Sequence, residues 1–363
     1  MRGSILALAT AVPPHFVTQA EALSKSCMLF DYDPEQRENV TKLYQNSGIE
    51  KRHIVTDDYL KPPSERTFLS ADYPKTVPGM TARNEFYKRE AIQLAQQAAE
   101  KALQEWGGDP LTITHIISVS CTGVVIPGIE FSLMMGLKLN PSLSRLGINF
   151  MGCFGAFKGL EVAHALAKGN PQNRILLVCT ELCTLHLQAD HSQDSLLANT
   201  LFADGAAAAI IGCFPTEQEK PLWEMVKHTS HGLKDSEQQM RWEASDHGFV
   251  MKLSNYVPIS ISRQIRAFAE GLLGSHTTIE NCDWPIHPGG KAIVQTIEKK
   301  LSLTPTQTEA SWHTLANYGN MSSATFLFVL DHLRHQNQRH PWAAGIGFGP
   351  GLSIEGLLLH GNP

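Results

Sequence analysis

MGCFGAFKGL, residues 151–160, decides how this chain is read. Cys153 stands between Gly152 and Gly155. An apolar run, LGINF (146–150), precedes it, and residues spaced as in a helix follow it to Gly169. The stretch 146–169 therefore reads as a strand, a tight glycine turn and a helix. The same plan recurs late in the chain, in LANYGNMSSATFLFVLDHL (315–333), which reads as strand, glycine turn and helix opening on small polar residues. TLFADGAAAAIIG (200–212) reads as a turn feeding a strand, and AAGIGFGPGLSIEGLLL (343–359) echoes it. Two halves of βαβ character, each aiming a helix N-terminus at a shared centre, predict a duplicated α/β fold. The polar, proline-flanked PTEQEKP (215–221) marks the boundary, giving halves of 1–214 and 215–363.

Other elements fill in around this plan. A helix is predicted over 83–105, with Ile92, Ala95, Ala99 and Leu103 at helical spacing and Gly107-Gly108 ending it. HIISVSCTG (115–123) reads as a strand leading to a Pro-Gly loop at 127–128. RILLVCTEL (174–182) is apolar without alternation, as in a strand covered on both faces. Near the N-terminus, ILALATAV is too short to span a bilayer and is stopped by Pro13-Pro14, so it reads as a buried strand rather than a signal peptide.

Composition narrows the function. The 363 residues are 42% hydrophobic and 18% charged, as in a soluble globular enzyme. A net charge of −5 provides no basic field for nucleic acid, and no apolar stretch is long enough to span a membrane. Seven cysteines, odd in number and scattered, argue against a secreted disulfide framework and for the cytoplasm. Cys179 and Cys183 lack a matching ligand pair, so no metal site is expected.

Taken singly, the candidate site residues stay ambiguous. Cys153 is either a buried structural cysteine or a nucleophile on a strand-to-helix elbow, where the helix N-terminus stabilises thiolate and backbone N–H groups can hold an oxyanion. Such a nucleophile needs a base partner. His287 closes the apolar CDWPIHPGG (282–290) at a strand end opening into a loop, whereas His335 and His340 lie in a polar run. Asn320 follows Gly319 at the second turn, where a helix-capping role is equally natural.

Five segments in order carry a more specific signal: MGCFGAFKGL, LFADGAAAAIIG, IHPGGKAIV, NYGNMSSATFLFVLD and GFGPGLSIEG. Together they resemble type III polyketide synthases, the chalcone synthase-like family of the thiolase superfamily. The resemblance runs from SGIEKRHIV (47–55) to the C-terminus. It implies a thiolase fold, an αβαβα layered sandwich of two duplicated halves, acting as a homodimer. It also implies Cys153 as the acyl-carrying nucleophile, with His287 and Asn320 binding the malonyl-CoA carbonyl and stabilising the enolate left by decarboxylation. Phe202 would be an aromatic gate, and Thr122, Ser322 and Phe348 would contact substrate. Lys51, Arg52 and Ala292 would lie along coenzyme A, although Asn46 and Glu50 stand where a further base is common. The substrates implied are malonyl-CoA and an acyl-CoA; no cofactor is expected, and no Walker or Rossmann glycine loop suggests ATP or NAD.

Some positions depart from the plant pattern. Cys183, Leu185 and His186 replace small hydroxyl and aliphatic residues, Met251 replaces a second aromatic gate, and Ile126 replaces a methionine that reaches across a dimer. ELCTLHLQ (181–188) is similar to bacterial alkylpyrone and alkylresorcinol synthases, implying a medium- or long-chain fatty acyl starter and a pyrone or resorcinol product. Ketoacyl-ACP synthase III shares the Cys, His and Asn but carries His-Gln-Ala-Asn in place of HPGG. Thiolase would need a later second cysteine than Cys282. A catalytically inactive dimeric scaffold is the alternative of another class, and the intact triad argues against it.

Overall fold

The computed structural model describes residues 3–213, 219–254, 256–337 and 339–361. The boundary predicted at 215–221 therefore lies mostly outside the described residues. In what is described, nine strands join in one sheet: β1 (Gly3–Ala11), β2 (His115–Ser120), β3 (Ser144–Asn149), β4 (Arg174–Leu182), β5 (Asp204–Cys213), β6 (Trp223–Gly232), β7 (Cys282–Asp283), β8 (Trp342–Gly349) and β9 (Ser353–His360). Their order is β7-β8-β9-β6-β1-β5-β4-β2-β3.

The duplication is visible in the pairing. From β1 outward, β5 is antiparallel, β4 antiparallel to it, then β2 parallel. From β6 outward, β9 is antiparallel, β8 antiparallel to it, then β7 parallel. The two series meet where Gly3–Ile5 pairs with Trp223–Met225, antiparallel. β3, the outermost strand of the first half, has no described counterpart in the second.

Alternation explains why β4 is buried at every position. Ile175, Leu177 and Cys179 enter one core with the helices Gly155–Gly169 and Thr325–Arg334; Leu176, Val178 and Leu182 enter another beneath the helix Met80–Trp106. A third core lies under the helices Val257–Leu273 and Lys291–Leu301. Helices thus form three layers separated by the two half-sheets, the five-layer sandwich implied by the resemblance. In the middle layer Phe157 stacks on Phe326 at 4.0 Å between ring centroids, and truncating either would cost about 3–5 kcal/mol.

Residues 315–318 are not the strand expected from their composition; they are the last turn of the helix Pro305–Tyr318. Pro305 at the first helical position and a Thr304–Gln307 capping box start that helix, and Gly319, at φ +68°, ends it. The stretch 343–359 also resolves further, into the β8–β9 hairpin. Its counterparts in the first half are β4 and β5 together.

Candidate active site

Two glycine turns, one in each half, bring the site together. Cys153 lies in a single 3-10 turn, Gly152–Phe154, that runs into the helix Gly155–Gly169. Gly152 holds φ +69°, and a methyl there would stand 2.4 Å from Pro350 Cδ; one on Gly155 would meet Val119 Cγ1 at 2.7 Å. The small neighbours of Cys153 are therefore required by packing, not only by the turn.

At the second turn, Asn320 N–H donates to Leu201 O at 3.0 Å and Ala203 N–H donates to Asn320 O at 2.9 Å. These bonds tie Asn320 to the chain on both sides of Phe202. The Asn320 amide does two things at once. Its Oδ1 accepts from Ser322 N–H at 2.8 Å and lies 4.0 Å from Cys153 Sγ, whereas the cap position of the following turn falls to Met321 rather than to Asn320. Its Nδ2 donates to Gly289 O at 3.2 Å. Gly289 N–H in turn donates to His287 O at 2.9 Å, while His287 N–H donates to Ile346 O at 2.7 Å. His287 is 1% exposed, and neither ring nitrogen has a hydrogen-bond partner among the described residues.

Burial acts on both Cys153 and His287. Burial pushes the Cys153 thiol up to about 11 and pulls His287 down to about 3. Desolvation thus favours the uncharged form of each group. The thiol–imidazole bond is not formed among the described residues; the bond of the Cys153 thiol is to Asn320 Oδ1, at 4.0 Å.

Cys153 opens onto a small cavity of 30 Å³, room for about two waters. Of the residues marked in the sequence, Thr122, Cys183, Phe202, Met251 and Ser322 line it with Cys153. Trp242, Met240, Arg241 and Cys121 also line it and were missed. Trp242 faces Met251 across a two-stranded ladder, sits edge-on to Phe202 at 5.8 Å, and donates from Nε1 to Cys121 O at 2.8 Å. Its only sequence signal was the alternation of MRWEAS (240–245).

Other assignments move. Leu185 is fully buried in the core under Met80–Trp106, where its carbonyl accepts from Arg83. His186 stands behind the wall: Nε2 donates to Thr122 O at 2.8 Å and Nδ1 accepts from Phe249 N–H at 3.1 Å. Those partners fix a neutral tautomer, and burial lowers it to about 4. Phe348 packs in the third core, and Pro350 of the same GFGPG loop lines the cavity instead. Ile126 is 93% exposed, far outside the cavity of its own chain.

On the far side of Phe202 lies an open groove of 790 Å³ lined by Leu201, Gly289, Gly290 and Ala292, with Lys42 and Lys291 as its cations. Leu201 faces the groove and Phe202 the cavity, so consecutive residues form the partition. Ala292 lines this groove. Arg52 does not: it is 3% exposed and donates to Gln19 Oε1, Asn199 O and Phe202 O, a brace behind the partition. Lys51 is also off the groove wall. Basic residues do serve this groove, but they come from the helix Pro34–Asn46 and from the first position of Lys291–Leu301.

Comparisons with known proteins agree with this geometry. Residues 2–215 match the family model "Chalcone and stilbene synthases, N-terminal domain", and residues 224–363 match the corresponding C-terminal domain. A Dictyostelium discoideum protein described as "Probable polyketide synthase 1" is 37% identical over 98% of this chain, which spans only 11% of that relative's length. The C-terminal type III polyketide synthase domain of Steely1, from a Dictyostelium type I/III hybrid, superposes with a TM-score of 0.94 at 36% identity, covering 99% of each chain. PKS-I of the brown alga Ectocarpus siliculosus superposes with a TM-score of 0.91 at 28% identity, covering 99% of this chain and 98% of that one.

Proposed function

Because this chain belongs to the chalcone and stilbene synthase family and is a type III polyketide synthase, we propose that it extends an acyl starter held on Cys153 by decarboxylative condensation with malonyl-CoA. One observation carries the reading. Cys153 lies on the inner side of Phe202 within 4.0 Å of Asn320, whose amide is tied through Gly289 to His287, while a groove large enough for a coenzyme A arm lies on its outer side. A thioester passing the partition would place its carbonyl beside the Asn320 amide and the neutral imidazole. Two such donors stabilise the enolate left when carbon dioxide departs. The enolate then attacks the acyl–Cys153 thioester, forming the carbon–carbon bond as the sulfur leaves with the bonding pair. Repetition lengthens the chain by two carbons, without a cofactor.

The starter proposed is a medium- or long-chain fatty acyl-CoA, and the product a pyrone or resorcinol. Support comes from Met240, Met251 and Cys183, flexible or small residues on an apolar wall that must move to admit any chain. A homodimer in the cytoplasm completes the reading. The bare β3 edge, with Val124, Ile126, Leu146 and Phe150 exposed about it, offers a strand edge and apolar surface for a second copy. The seven unpaired cysteines suit a reducing compartment.

Incubation with labelled malonyl-CoA and a series of acyl-CoA starters, followed by product mass analysis, tests the chemistry. Multiply extended products from long starters are expected, and none from Cys153→Ala. Product from Cys153→Ala, or a single condensation with malonyl-ACP only, would refute it. Light scattering of Ile126→Asp should show loss of the dimer.

A further inference from the structure

The helix Gln193–Leu201 ends at the partition without a glycine to turn it. Its C-cap is Phe202 itself, already extended at φ −74° and ψ 144°. The last carbonyls of a helix have no partner within it, so those of this turn must be met from outside. Leu201 O accepts from Asn320 N–H at 3.0 Å, and Thr200 O accepts from Gln19 Nε2 at 2.9 Å. Asn199 O, at 2.8 Å, and Phe202 O, at 2.6 Å, both accept from Nη1 of Arg52. A guanidinium also suits this place electrostatically, because the C-terminal end of a helix carries partial negative charge.

Arg52 comes from a two-stranded ladder outside the main sheet, His15–Thr18 with Lys51–Ile54, where it stands opposite Val17. Its head and its stem are each fixed. Nε donates to Gln19 Oε1 at 3.1 Å, and Gln19 Nε2 donates to Ser47 Oγ, also at 3.1 Å, as well as to Thr200 O. The stem lies against the second glycine turn, where a methyl on Gly319 would stand 2.9 Å from Arg52 Cγ. Burying a charge is costly, and burial pulls this guanidinium below its ordinary value while Tyr44 and Asp204 oppose that pull. The planar fork reaches Gln19 and two carbonyls at once, which a lysine cannot do.

Phe202 is where this cap bears on the chemistry. Its carbonyl is held by Arg52 and its N–H donates to Ala198 O at 3.0 Å, while its ring lines the cavity of Cys153 with the open groove behind Leu201. An acyl group on Cys153 is a thioester, and water from the groove can destroy it. The water oxygen bonds to the carbonyl carbon, the C–S bond breaks, and a carboxylic acid leaves as the sulfur takes a proton. A closed partition excludes that water.

We propose that Arg52 is a positioning residue for the condensation: by capping the partition helix it keeps Phe202 across the opening and water away from the acyl–Cys153 thioester. The proposal rests on Cys153 carrying the acyl group and on Phe202 standing between groove and cavity. Arg52 then governs the fate of the intermediate, not the binding of a coenzyme A phosphate.

The test loads Cys153 from labelled acetyl-, octanoyl- or palmitoyl-CoA, removes the excess, and follows the label on the Cys153 peptide by mass spectrometry without malonyl-CoA. The first-order rate of hydrolysis belongs to each loaded molecule, so a variant that only folds in lower yield leaves it unchanged. Arg52→Met keeps the stem against Gly319 and removes the donors; it should raise the rate about tenfold, a coupling of the size usual for residues in contact. Arg52→Lys, which keeps the charge without the fork, should raise it less. Phe202→Ala should match Arg52→Met, and the two together should be no faster than Phe202→Ala alone, because the barrier that Arg52 holds is already gone. Displacement of Asn320 would instead slow hydrolysis, since attack by water draws on the same amide donor. An unchanged or slower rate in Arg52→Met, or a further rise of the same size on top of Phe202→Ala, overturns the proposal. Should Arg52→Met not fold, Gln19→Leu decides, because it strips Arg52 Nε of its acceptor and Thr200 O of its donor: a faster rate supports the proposal and an unchanged one overturns it. No label on Cys153 of the unmodified chain from any of the three thioesters would sink the reading of the nucleophile, and this proposal with it.

Discussion

Alanine in place of Gly152 puts a methyl on the turn that carries the thiol, and the structure allows its effect to be divided in two. The left-handed backbone at φ +69° costs about 1–2 kcal/mol once a Cβ is present. The methyl would also lie 2.4 Å from the Pro350 ring, which cannot swing aside as the end of a flexible side chain could. Overpacking of that kind adds about 1–3 kcal/mol. Gly107 supplies the control, because it holds φ +70° and a methyl added there would meet nothing within 4 Å. Gly107→Ala should therefore lose only the backbone part, about 1–2 kcal/mol. Urea denaturation followed by circular dichroism measures both, and Gly152→Ala should lose about 1–3 kcal/mol more than Gly107→Ala. Relief of the contact must displace the Cys153 turn relative to Asn320, and a shift of about 1 Å lowers turnover on the order of a hundredfold. Equal losses in the two variants, with turnover intact in Gly152→Ala, would show that packing against Pro350 does not hold the nucleophile.

Three further expectations concern the groove, the wall and its support. Lys42→Ala combined with Lys291→Ala should raise KM for coenzyme A thioesters several-fold with little change in kcat, and added salt should narrow the difference; initial rates at two ionic strengths measure this. Met251→Phe, which stiffens the cavity wall beside Trp242, should shift use toward shorter acyl starters, as read by product mass. His186 is held below its ordinary value of 6.5, at about 4, so the stability it contributes is present above pH 6.5 and is lost as pH falls toward 4. Urea midpoints across that window should fall less steeply in His186→Gln, whose amide can still donate to Thr122 O.

What could be read from the sequence was whatever local chemistry dictates. Gly152, Gly155 and Gly319 announce turns because their neighbours and their backbone angles forbid a side chain, and Cys153 and Asn320 are found from them. The covered strand Arg174–Leu182 was equally plain, since an apolar run without alternation has one sheet environment that satisfies it. The readings that moved depended on long-range contacts. Leu315–Tyr318 has the composition of a short strand, but a capped start eleven residues earlier commits it to helix. Arg52 has the look of a phosphate ligand until Gln19, Asn199 and Phe202 close around it. Trp242 carries no local mark beyond the alternation of its strand, and becomes a wall residue through its ladder with Met251.

The seam between the halves also bears on how the chain is made. β1 lies near the middle of the sheet, with Gly3 opposite Cys213 on one side and opposite Met225 on the other. Its partners follow it by roughly two hundred residues, which take on the order of 10–40 s to synthesise at ribosomal rates of about 5–20 residues per second. Throughout that interval an apolar strand waits with both edges unpaired. Closing the sheet is therefore a late event of high contact order, and the helix Met80–Trp106, complete well before either partner strand emerges and packed against β1 in the finished molecule, is the cover nearest to hand in the meantime.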